Sequence, residues 1–320
     1  MKISIIIPVY NVEKYIKRCL LSVINQTYND IIECIIVNDC TPDNSMSIIA
    51  AFIKENKKNI EFKIINHDIN KGLSAARNSG IKASTGTYLY FLDSDDEIFP
   101  DAIYNLSSVA EKYHPDLVVG NTLNNSKTAD WLDLSKRNYP TYSDSQTFIQ
   151  TEWINIYGAW NRLIRRDFIL DNKLFFKEGI LHEDNRWILF SKKYVKSIAF
   201  CFIPTYNYCT NQNTIMTTMY KDNSILSYIS IADEYFHKYK FKDNRGEYKD
   251  LIGHINDIKK NLLYHTRDKK RIKSKFYEFI FTNLKNNNLP IKIRFLLGYF
   301  LLPKFFIRNR ITKIFLAKTH

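Results

Sequence analysis

Short apolar runs alternate with amphipathic segments along the first ninety residues, and this alternation constrains the fold most. Ile3–Ile7, Cys34–Val37 and Phe62–Ile65 are runs of strand length. Between the first two, apolar side chains from Val12 to Ile24 recur at spacings of three and four, which predicts a helix with Asn11 as its N-cap. Such alternation predicts a parallel sheet covered by helices on both faces, with functional loops at the carboxyl ends of the strands.

A fourth apolar run, Tyr88–Leu92, leads directly into the polar residues Asp93–Asp96. The run predicts a buried strand, so these carboxylates should emerge where open α/β sheets bind their ligands. Carboxylate oxygens suit hard cations such as Mg²⁺ and Mn²⁺, which take one or two protein carboxylates and share the phosphates of a substrate. The segment indicates a site for a divalent cation and a diphosphate, although acidic pairs at strand ends also occur as solvated turns or helix caps.

Four motifs follow one another in a single order. They are Ile7–Asn11, Val37–Asp39 with Asp43, Asn70–Gly80 and Asp93–Asp96. Together they resemble the family 2 glycosyltransferases of the GT-A fold, of the type that builds bacterial cell-surface polysaccharides. The resemblance is strong over residues 1–120, weak through Glu183 and Asp184, and fades after about residue 215.

The resemblance implies the fold class and the domains. The fold class is α/β, a Rossmann-like mixed and mostly parallel sheet with helices on both faces, plus a helical C-terminal extension. Residues 1–220 are expected to form the catalytic domain, with a nucleotide-sugar-binding half at 1–115 and an acceptor half at 116–220. Residues 221–320 are expected to form a basic, helical region that associates with membranes.

The resemblance also implies which residues bind the donor. Asp95 is the implied ligand of a Mn²⁺ or Mg²⁺ ion that bridges both phosphates. Asp93 is implied to hold the ribose side of the donor, and Asp96 to start the following turn. The implied donor-binding residues are Pro8, Tyr10, Asn11, Asp39, Arg77, Asp93 and Ser94.

The chemistry of two of these residues can be argued directly. The carboxylate of Asp39 can accept a hydrogen bond from a uracil ring N–H, and its structural alternative is a cap on the following helix. Arg77 follows the Gly72 turn, where a guanidinium and free backbone N–H groups could both meet a diphosphate. Its alternative is an exposed helix arginine. At positions 38 and 40 the family more often carries Asp and Gly, whereas this chain carries Asn38 and Cys40. This difference affects which nucleotide base the site would select.

Glu183 and Asp184 resemble the acidic pair in the acceptor half of these enzymes, with Asp184 as the general base and Glu183 as the second candidate. Direct transfer needs a carboxylate to take the proton of the acceptor hydroxyl, and a single displacement inverts the sugar. Alternatively, both residues merely enrich the first turn of a helix, where acidic side chains favour the macrodipole.

Three further side chains are candidates for contact with the acceptor. Trp160 begins the segment Trp160–Arg166, which resembles a Trp-Asn-Lys-Leu string common in this subgroup. Its ring could stack on a sugar face or belong to the core. Arg186 and Trp187 follow the acidic pair in the same predicted helix.

Positive charge is concentrated at the C-terminal end. Residues 221–320 contain 22 basic and 9 acidic side chains, an excess equal to the whole net charge of +13. After Glu278, basic residues alternate with aromatic and leucine groups, which favours an interfacial helix on an anionic leaflet. A transmembrane span is not expected, because Pro303 interrupts the apolar run. A helical subdomain with a solvated basic face and a nucleic-acid surface are the alternatives, but no nucleic-acid motif accompanies the charge.

Other composition signals concern the compartment. The five cysteines are odd in number and lack a Cys-x-x-Cys spacing, which favours a reducing cytoplasm. Pro8 breaks the first apolar stretch, so no cleavable signal is expected. The predicted location is the cytoplasm, peripheral on the inner face of the cell membrane.

The sequence therefore predicts a metal-dependent, inverting glycosyltransferase that moves a sugar from a UDP-linked donor to a glycan or lipid-linked acceptor, with no nucleic-acid partner. A sugar nucleotidyltransferase would need a glycine-rich, basic loop that Ile5–Asn11 lacks. A non-catalytic nucleotide- or glycan-binding protein would have lost acidic residues, whereas Asp93, Asp95 and Asp184 are present. An NAD-binding dehydrogenase is disfavoured because no Gly-x-Gly-x-x-Gly follows the first strand.

Overall fold

The computed structural model describes residues 1–56, 60–125, 127–128, 133–152, 158–210, 221–238 and 269–284. The chain divides into two units, Met1–Thr218 and Met219–His320. The basic tail after residue 285, to which the sequence assigns membrane contact, lies outside the described residues. Among the described helices, none combines the length and the apolar character that a membrane crossing requires.

In the described part of the first unit, ten strands form one sheet. The strands are β1 (Ile3–Val9), β2 (Ile32–Asn38), β3 (Ile60–Asn66), β4 (Tyr88–Phe91), β5 (Glu97–Ile98), β6 (Leu117–Asn124), β7 (Lys127–Thr128), β8 (Tyr142–Ser143), β9 (Arg162–Arg165) and β10 (Ile198–Tyr208). The helices are α1 (Ile16–Ile24), α2 (Ser45–Glu55), α3 (Leu73–Ala83), α4 (Ala102–Tyr113), α5 (Gln146–Glu152), α6 (Arg166–Asp171) and α7 (Glu183–Ser191), with a 3₁₀ turn at Leu134–Lys136.

The strand order is β3-β2-β1-β4-β9-β6-β10-β5, with β7 on β6 and β8 on β10. Strands β1 to β4 are mutually parallel, as are β6 and β10. Strand β9 is antiparallel to both β4 and β6 and joins the two parallel groups. Because the longest pairings are parallel, the predicted mixed and mostly parallel sheet is confirmed.

Two apolar cores cover the two faces of the sheet. Successive side chains of a strand point to opposite faces, so Ile5 of β1 belongs to the core that contains side chains of α1, α2 and α4, whereas its neighbour Ile6 belongs to the core that contains side chains of α3, α6 and α7. Both isoleucines are fully buried. The prediction of helices on both faces is confirmed.

The predicted N-cap of the first helix is wrong. Helix α1 begins at Ile16, after a turn closed by the Tyr15 N–H and the Val12 carbonyl. Asn11 has a φ of 56°, whereas an N-cap residue needs an extended backbone. Its N–H donates to Oγ1 of Thr41 at 2.8 Å, so a contact with the loop after β2 determines its conformation.

A topological switch point lies between β1 and β4, because the chain builds outward from β1 to β3 and then returns to the other side of β1. Tyr10, Asp39 and Asp93 follow the carboxyl ends of β1, β2 and β4. A backbone hydrogen bond of 3.0 Å from the Asp39 N–H to the Val9 carbonyl ties two of these ends together. The predicted donor-binding residues therefore share one edge of the sheet.

The second unit contains the described helices α8 (Lys221–Lys238) and α9 (Lys269–Leu284). The side-chain amide of Asn283 donates to Asp233 at 3.0 Å and links the two helices. Ile231, Tyr235 and Phe276 are among their buried side chains. The predicted helical C-terminal extension is confirmed.

Candidate active site

Asp39 is a buried carboxylate at the sheet edge, with 2% of the residue exposed. Its Oδ1 accepts from the Lys71 N–H at 2.8 Å and lies 2.7 Å from Nδ1 of His67. Its Oδ2 accepts from the Gly72 N–H at 2.7 Å. These partners belong to the loop before α3, so Asp39 does not cap α2. Asp43 accepts from the Ser45 N–H at the start of that helix instead.

Glycine is required at position 72 for conformational reasons. Gly72 has φ 85° and ψ 167°, a region essentially restricted to glycine. A Cβ at this position would meet nothing within 4 Å, so space is not the constraint. The backbone conformation turns the Gly72 N–H toward both Asp39 and Asn70, and the loop wraps around the Asp39 carboxylate.

Arg77 lies between two carboxylates from distant parts of the chain. Its Nη2 donates to Asp93 at 2.9 Å and its Nη1 donates to Glu183 at 2.6 Å. Only 2% of the residue is exposed, so the alternative of an exposed helix arginine is wrong. Burial alone would lower the pKa of Arg77, but the charges of Asp93, Glu183 and Asp184 outweigh burial and raise it. A direct contact between Arg77 and a diphosphate stays a prediction.

Glu183 joins this ion pair from the start of α7. Its side chain is 12% exposed, and burial raises its pKa although Arg77 acts in the opposite direction. Asp184 is half-buried, and its Oδ1 accepts from the Asn185 N–H at 2.7 Å. Because α7 begins at Glu183, both acidic residues also lie in the first turn of a helix, as the structural alternative predicts.

Residues Asp93–Asp96 form a tight turn closed by the Asp96 N–H and the Asp93 carbonyl at 3.0 Å. Asp96 therefore ends this turn, and the prediction that it starts the next one is wrong. Its carboxyl is buried and accepts from the Tyr206 hydroxyl and the Cys209 N–H, each at 2.7 Å. Burial and the charges of Asp93 and Asp95 raise the pKa of Asp96 to about 8.

The turn fits a divalent cation that arrives with a diphosphate. Three carboxyl groups within four residues concentrate negative charge, which adds to burial in raising the pKa of Asp96, and a cation would relieve that repulsion. In the described part of the chain, no group of three or more His, Cys, Asp and Glu side chains could hold a metal by itself. Mg²⁺ needs only one or two carboxylates when phosphates supply further oxygens, so a single carboxylate such as Asp95 is a sufficient protein contribution.

Trp160 is half-buried and stacks on two tyrosines of β10. Its ring centroid lies 4.9 Å from that of Tyr206 and 5.8 Å from that of Tyr208. Because the Tyr206 hydroxyl binds Asp96, this aromatic stack adjoins the acidic turn. Contact with an acceptor sugar stays a prediction for Trp160.

The other two acceptor candidates differ in their exposure. Trp187 is 2% exposed, donates its indole N–H to the Leu174 carbonyl at 2.7 Å and stacks on Phe176. The structure therefore does not bring Trp187 to the surface of the site. Arg186 is half-buried, with its guanidinium 4.5 Å from the ring centroid of Phe190.

The remaining predicted donor residues lie near the same edge. Pro8 is buried within β1 and Ser94 is buried in the acidic turn, whereas Tyr10 is 46% exposed and Asn11 is also exposed. Tyr10 and Asn11 therefore present side-chain surface that a ligand can contact, whereas Pro8 and Ser94 present little.

Sequence reasoning missed three side chains around the site. His67 follows β3 directly, and a histidine at a strand end beside the Asn70–Gly72 turn was the available signal. Arg162 is buried, and burial lowers its pKa to about 9 although the charge of Asp184 acts in the opposite direction. Tyr206 has no local signal, because its partner Asp96 is 110 residues away.

Residues 4–171 match the family model described as Glycosyl transferase family 2, and the chain belongs to this family. Over 232 residues it is 32% identical to the uncharacterized glycosyltransferase EpsJ of Bacillus subtilis (strain 168), which covers 68% of this chain and 64% of EpsJ. It is 27% identical over 210 residues to the poly(ribitol-phosphate) beta-glucosyltransferase of Bacillus spizizenii, covering 65% of this chain and 32% of that protein. The chain thus spans less than two thirds of the length of these curated relatives.

A solved structure shares the fold. The crystal structure of S. aureus TarS 1-349 in complex with UDP-GlcNAc superimposes with a TM-score of 0.71 at 18% identity, covering 93% of this chain and 87% of that one. The predicted fold class is confirmed. The matched family segment contains Asp39, Arg77 and the Asp93–Asp96 turn, and it ends before Glu183.

Proposed function

We propose that this protein is an inverting, metal-dependent glycosyltransferase that moves a sugar from a UDP-linked donor to a hydroxyl of a glycan or lipid-linked acceptor in cell-surface polymer synthesis. The observation that carries the proposal is Arg77, which joins the acidic turn after β4 to the acidic pair at the start of α7. In this assignment residues 1–115 bind the donor and residues 116–220 bind the acceptor. The named activity of the family and of the curated relatives supports the transfer of a sugar.

Uridine is favoured by the acceptor capacity of Asp39. An ionised carboxylate offers about four lone-pair sites, and three are filled by Lys71, Gly72 and His67 among the described residues. One site remains for a base. Uracil presents a single ring N–H, whereas guanine presents N1–H and N2–H side by side and would leave one of them unpaired. The likeness to a fold solved with UDP-GlcNAc supports the same choice.

The proposed reaction is one displacement at the anomeric carbon. The acceptor oxygen forms a bond to that carbon, the bond to the diphosphate oxygen breaks with its electron pair, and the hydroxyl proton passes to the carboxylate of Asp184. A cation held by Asp95 would supply charge stabilisation for the leaving diphosphate. Attack opposite the leaving group inverts the configuration.

Two observations favour Asp184 over Glu183 as the base. Glu183 is committed to Arg77 at 2.6 Å, and its side chain is 12% exposed. Asp184 is half-buried and carries a hydrogen bond from its neighbouring N–H. A carboxylate that keeps a solvent-facing side can reach an incoming hydroxyl without first breaking an ion pair.

The basic tail is proposed to hold the enzyme peripherally on the anionic inner face of the cell membrane, near a lipid-linked acceptor. The charge excess of residues 221–320 supports this, because polybasic and apolar groups add in interfacial binding. Deletion of residues 285–320 should release the protein from anionic liposomes and preserve UDP binding. If the deletion leaves liposome binding intact, or unfolds the chain, an integral helical subdomain is the better assignment.

The test of the function is a screen of nucleotide sugars. Purified protein is incubated with UDP-, GDP- and dTDP-linked sugars and Mn²⁺ or Mg²⁺, and nucleotide release is measured before and after lipid-linked acceptors are added. We expect release from a UDP-sugar that increases with acceptor. Pyrophosphate release from a nucleoside triphosphate and a sugar phosphate would instead identify a sugar nucleotidyltransferase. Nucleotide binding without turnover on any acceptor would indicate a non-catalytic binding protein.

A further inference from the structure

We propose that His67 is a positioning residue that selects the base of the nucleotide by controlling which lone pair of Asp39 is available. This inference rests on the proposed function, since it assumes that Asp39 receives the base.

The imidazole of His67 is held at both nitrogens. Nδ1 lies 2.7 Å from Oδ1 of Asp39, and Nε2 lies 2.8 Å from Oγ of Ser79. The backbone N–H of His67 donates to the Asn38 carbonyl at 2.9 Å. The His67 side chain is 6% exposed, so the ring is fixed between the end of β3 and helix α3.

The chemistry of Asp39 determines the direction of the first hydrogen bond. An ionised carboxylate only accepts, so Nδ1 of His67 must carry the proton and donate. In a neutral ring, Nε2 then accepts from the Ser79 hydroxyl. In a protonated ring, Nε2 donates to Ser79 instead. The hydrogen bond to Asp39 is the same in both cases.

The consequence is an asymmetry between the two oxygens of Asp39. Oδ1 accepts hydrogen bonds from the Lys71 N–H and from Nδ1–H of His67, which together fill both of its lone pairs. Oδ2 receives the Gly72 N–H, and no second donor occupies it among the described residues. A base that offers one N–H can bind Oδ2. A base that offers two adjacent N–H groups, such as guanine, needs a free lone pair on each oxygen. Because His67 occupies a lone pair of Oδ1, the second N–H group of such a base would find no acceptor there.

The arrangement has the connectivity of a Ser-His-Asp triad, but it does not support nucleophilic catalysis. Ser79 lies inside helix α3 (Leu73–Ala83), where the backbone N–H groups are used by helical hydrogen bonds. Those N–H groups cannot form the oxyanion hole that acyl transfer requires. The helix also carries Arg77, so His67 connects the loop around Asp39 to the element that holds the acidic turn.

Two substitutions of His67 separate the two hydrogen bonds. His67→Asn places an amide N–H near the position of Nδ1 and retains a donor to Asp39. His67→Gln places the amide near Nε2 and retains the contact with Ser79 only. His67→Leu removes both hydrogen bonds. Ser79→Ala removes only the hydrogen bond between Nε2 of His67 and the Ser79 hydroxyl.

The measurements are UDP and GDP affinity by calorimetry, the KM for the donor, kcat and the melting temperature. Without the hydrogen bond from His67, the Asp39 carboxylate loses one of its fixed donors and can rotate away from the orientation that presents Oδ2 to the base, so UDP binding should weaken by about tenfold or more in His67→Leu and His67→Gln. In both variants KM should rise more than kcat falls, and the preference for UDP over GDP should narrow. His67→Asn should keep UDP affinity within about threefold of the wild type, since its hydrogen bond to Asp39 is retained.

A matched control is Ser107→Ala. Like Ser79, Ser107 is a serine within a helix, and its buried hydroxyl donates to the Tyr104 carbonyl within α4. This variant should leave the UDP/GDP ratio unchanged even if it lowers the melting temperature.

The proposal is overturned if His67→Gln binds UDP as tightly as His67→Asn, or if the UDP/GDP ratio stays constant across the variants. This comparison remains decisive if His67→Leu does not fold. Failure of the proposed function is distinguishable, because it would appear in the wild-type protein as an absence of UDP binding or of sugar transfer, whatever the His67 variants do.

Discussion

The carboxylates on the proposed donor and acceptor sides of the site are stabilised in different ways. Asp39 receives two backbone N–H groups and an imidazole, all from the loop before α3 and the end of β3. Glu183 depends on Arg77, which also pairs with Asp93. The donor carboxylate is thus held by groups that the fold fixes beside it, whereas the acceptor-side carboxylate is held by one long side chain shared with the donor side.

This difference indicates which parts of the site act independently. The donors to Asp39 are positioned by backbone structure, so base recognition should survive changes on the acceptor side. The geometry of Glu183 should respond to Asp93, because a single guanidinium serves both.

The largest effect is expected at the acidic turn. EDTA should abolish transfer, Mn²⁺ or Mg²⁺ should restore it, and Asp95→Ala should resist that rescue, because diphosphate charge would lack its counter-ion. Product formation is measured with metal-free and metal-loaded protein. Undiminished turnover in the chelator would exclude Asp95 as a metal ligand in catalysis.

The proposed base should affect the rate without affecting donor binding. Asp184→Asn retains size and hydrogen bonding but removes the proton acceptor, so transfer should slow by roughly 10²–10⁴-fold. UDP affinity, measured by calorimetry on the same preparation, should be unchanged. Asp39→Ala should show the reverse pattern, with weaker UDP binding. A near wild-type rate for Asp184→Asn would show that Asp184 is not the general base, and Glu183 would be tested next.

Removal of Arg77 should disturb both sides together. Arg77→Met leaves Asp93 and Glu183 without their partner, and the loss of one member of a buried ion pair destabilises by about 3–5 kcal/mol. Adding Glu183→Gln to this variant should recover part of the loss, because one uncompensated charge is removed. Denaturant unfolding measures the free energy of unfolding of the single and of the double variant. If the single and double variants are equally stable, Glu183 does not depend on Arg77.

The smallest effect concerns the residue before the acidic pair. Burial lowers the pKa of His182 below its ordinary value of 6.5, although the charge of Asp184 acts in the opposite direction. The unfolded chain therefore binds this proton first as the pH falls, and stability that is fully present above about pH 6.5 decreases below it. His182→Gln should flatten the dependence of the free energy of unfolding on pH below about pH 6.5. If the slope of the free energy of unfolding against pH is the same in the variant and the wild type, groups other than His182 cause the pH dependence.

Local patterns were sufficient for the elements of the donor half. The apolar runs around Ile5, Ile36 and Ile64 predict β1 to β3, because alternation of apolar segments with turn residues reflects burial along the chain. The acidic residues at the end of β4 were located for the same reason. The conformation of Asn11 was not predicted, because a contact with Thr41 determines it.

The sequence by itself determined the family, the order of the elements and the strand ends that carry polar side chains. Tertiary structure decided which of those side chains are paired. Arg77 meets Glu183 across 106 residues, and Tyr206 meets Asp96 across 110. A buried polar group must find a partner, but the partner is whichever group the packing brings within about 3 Å, and periodicity along the chain contains no record of that choice.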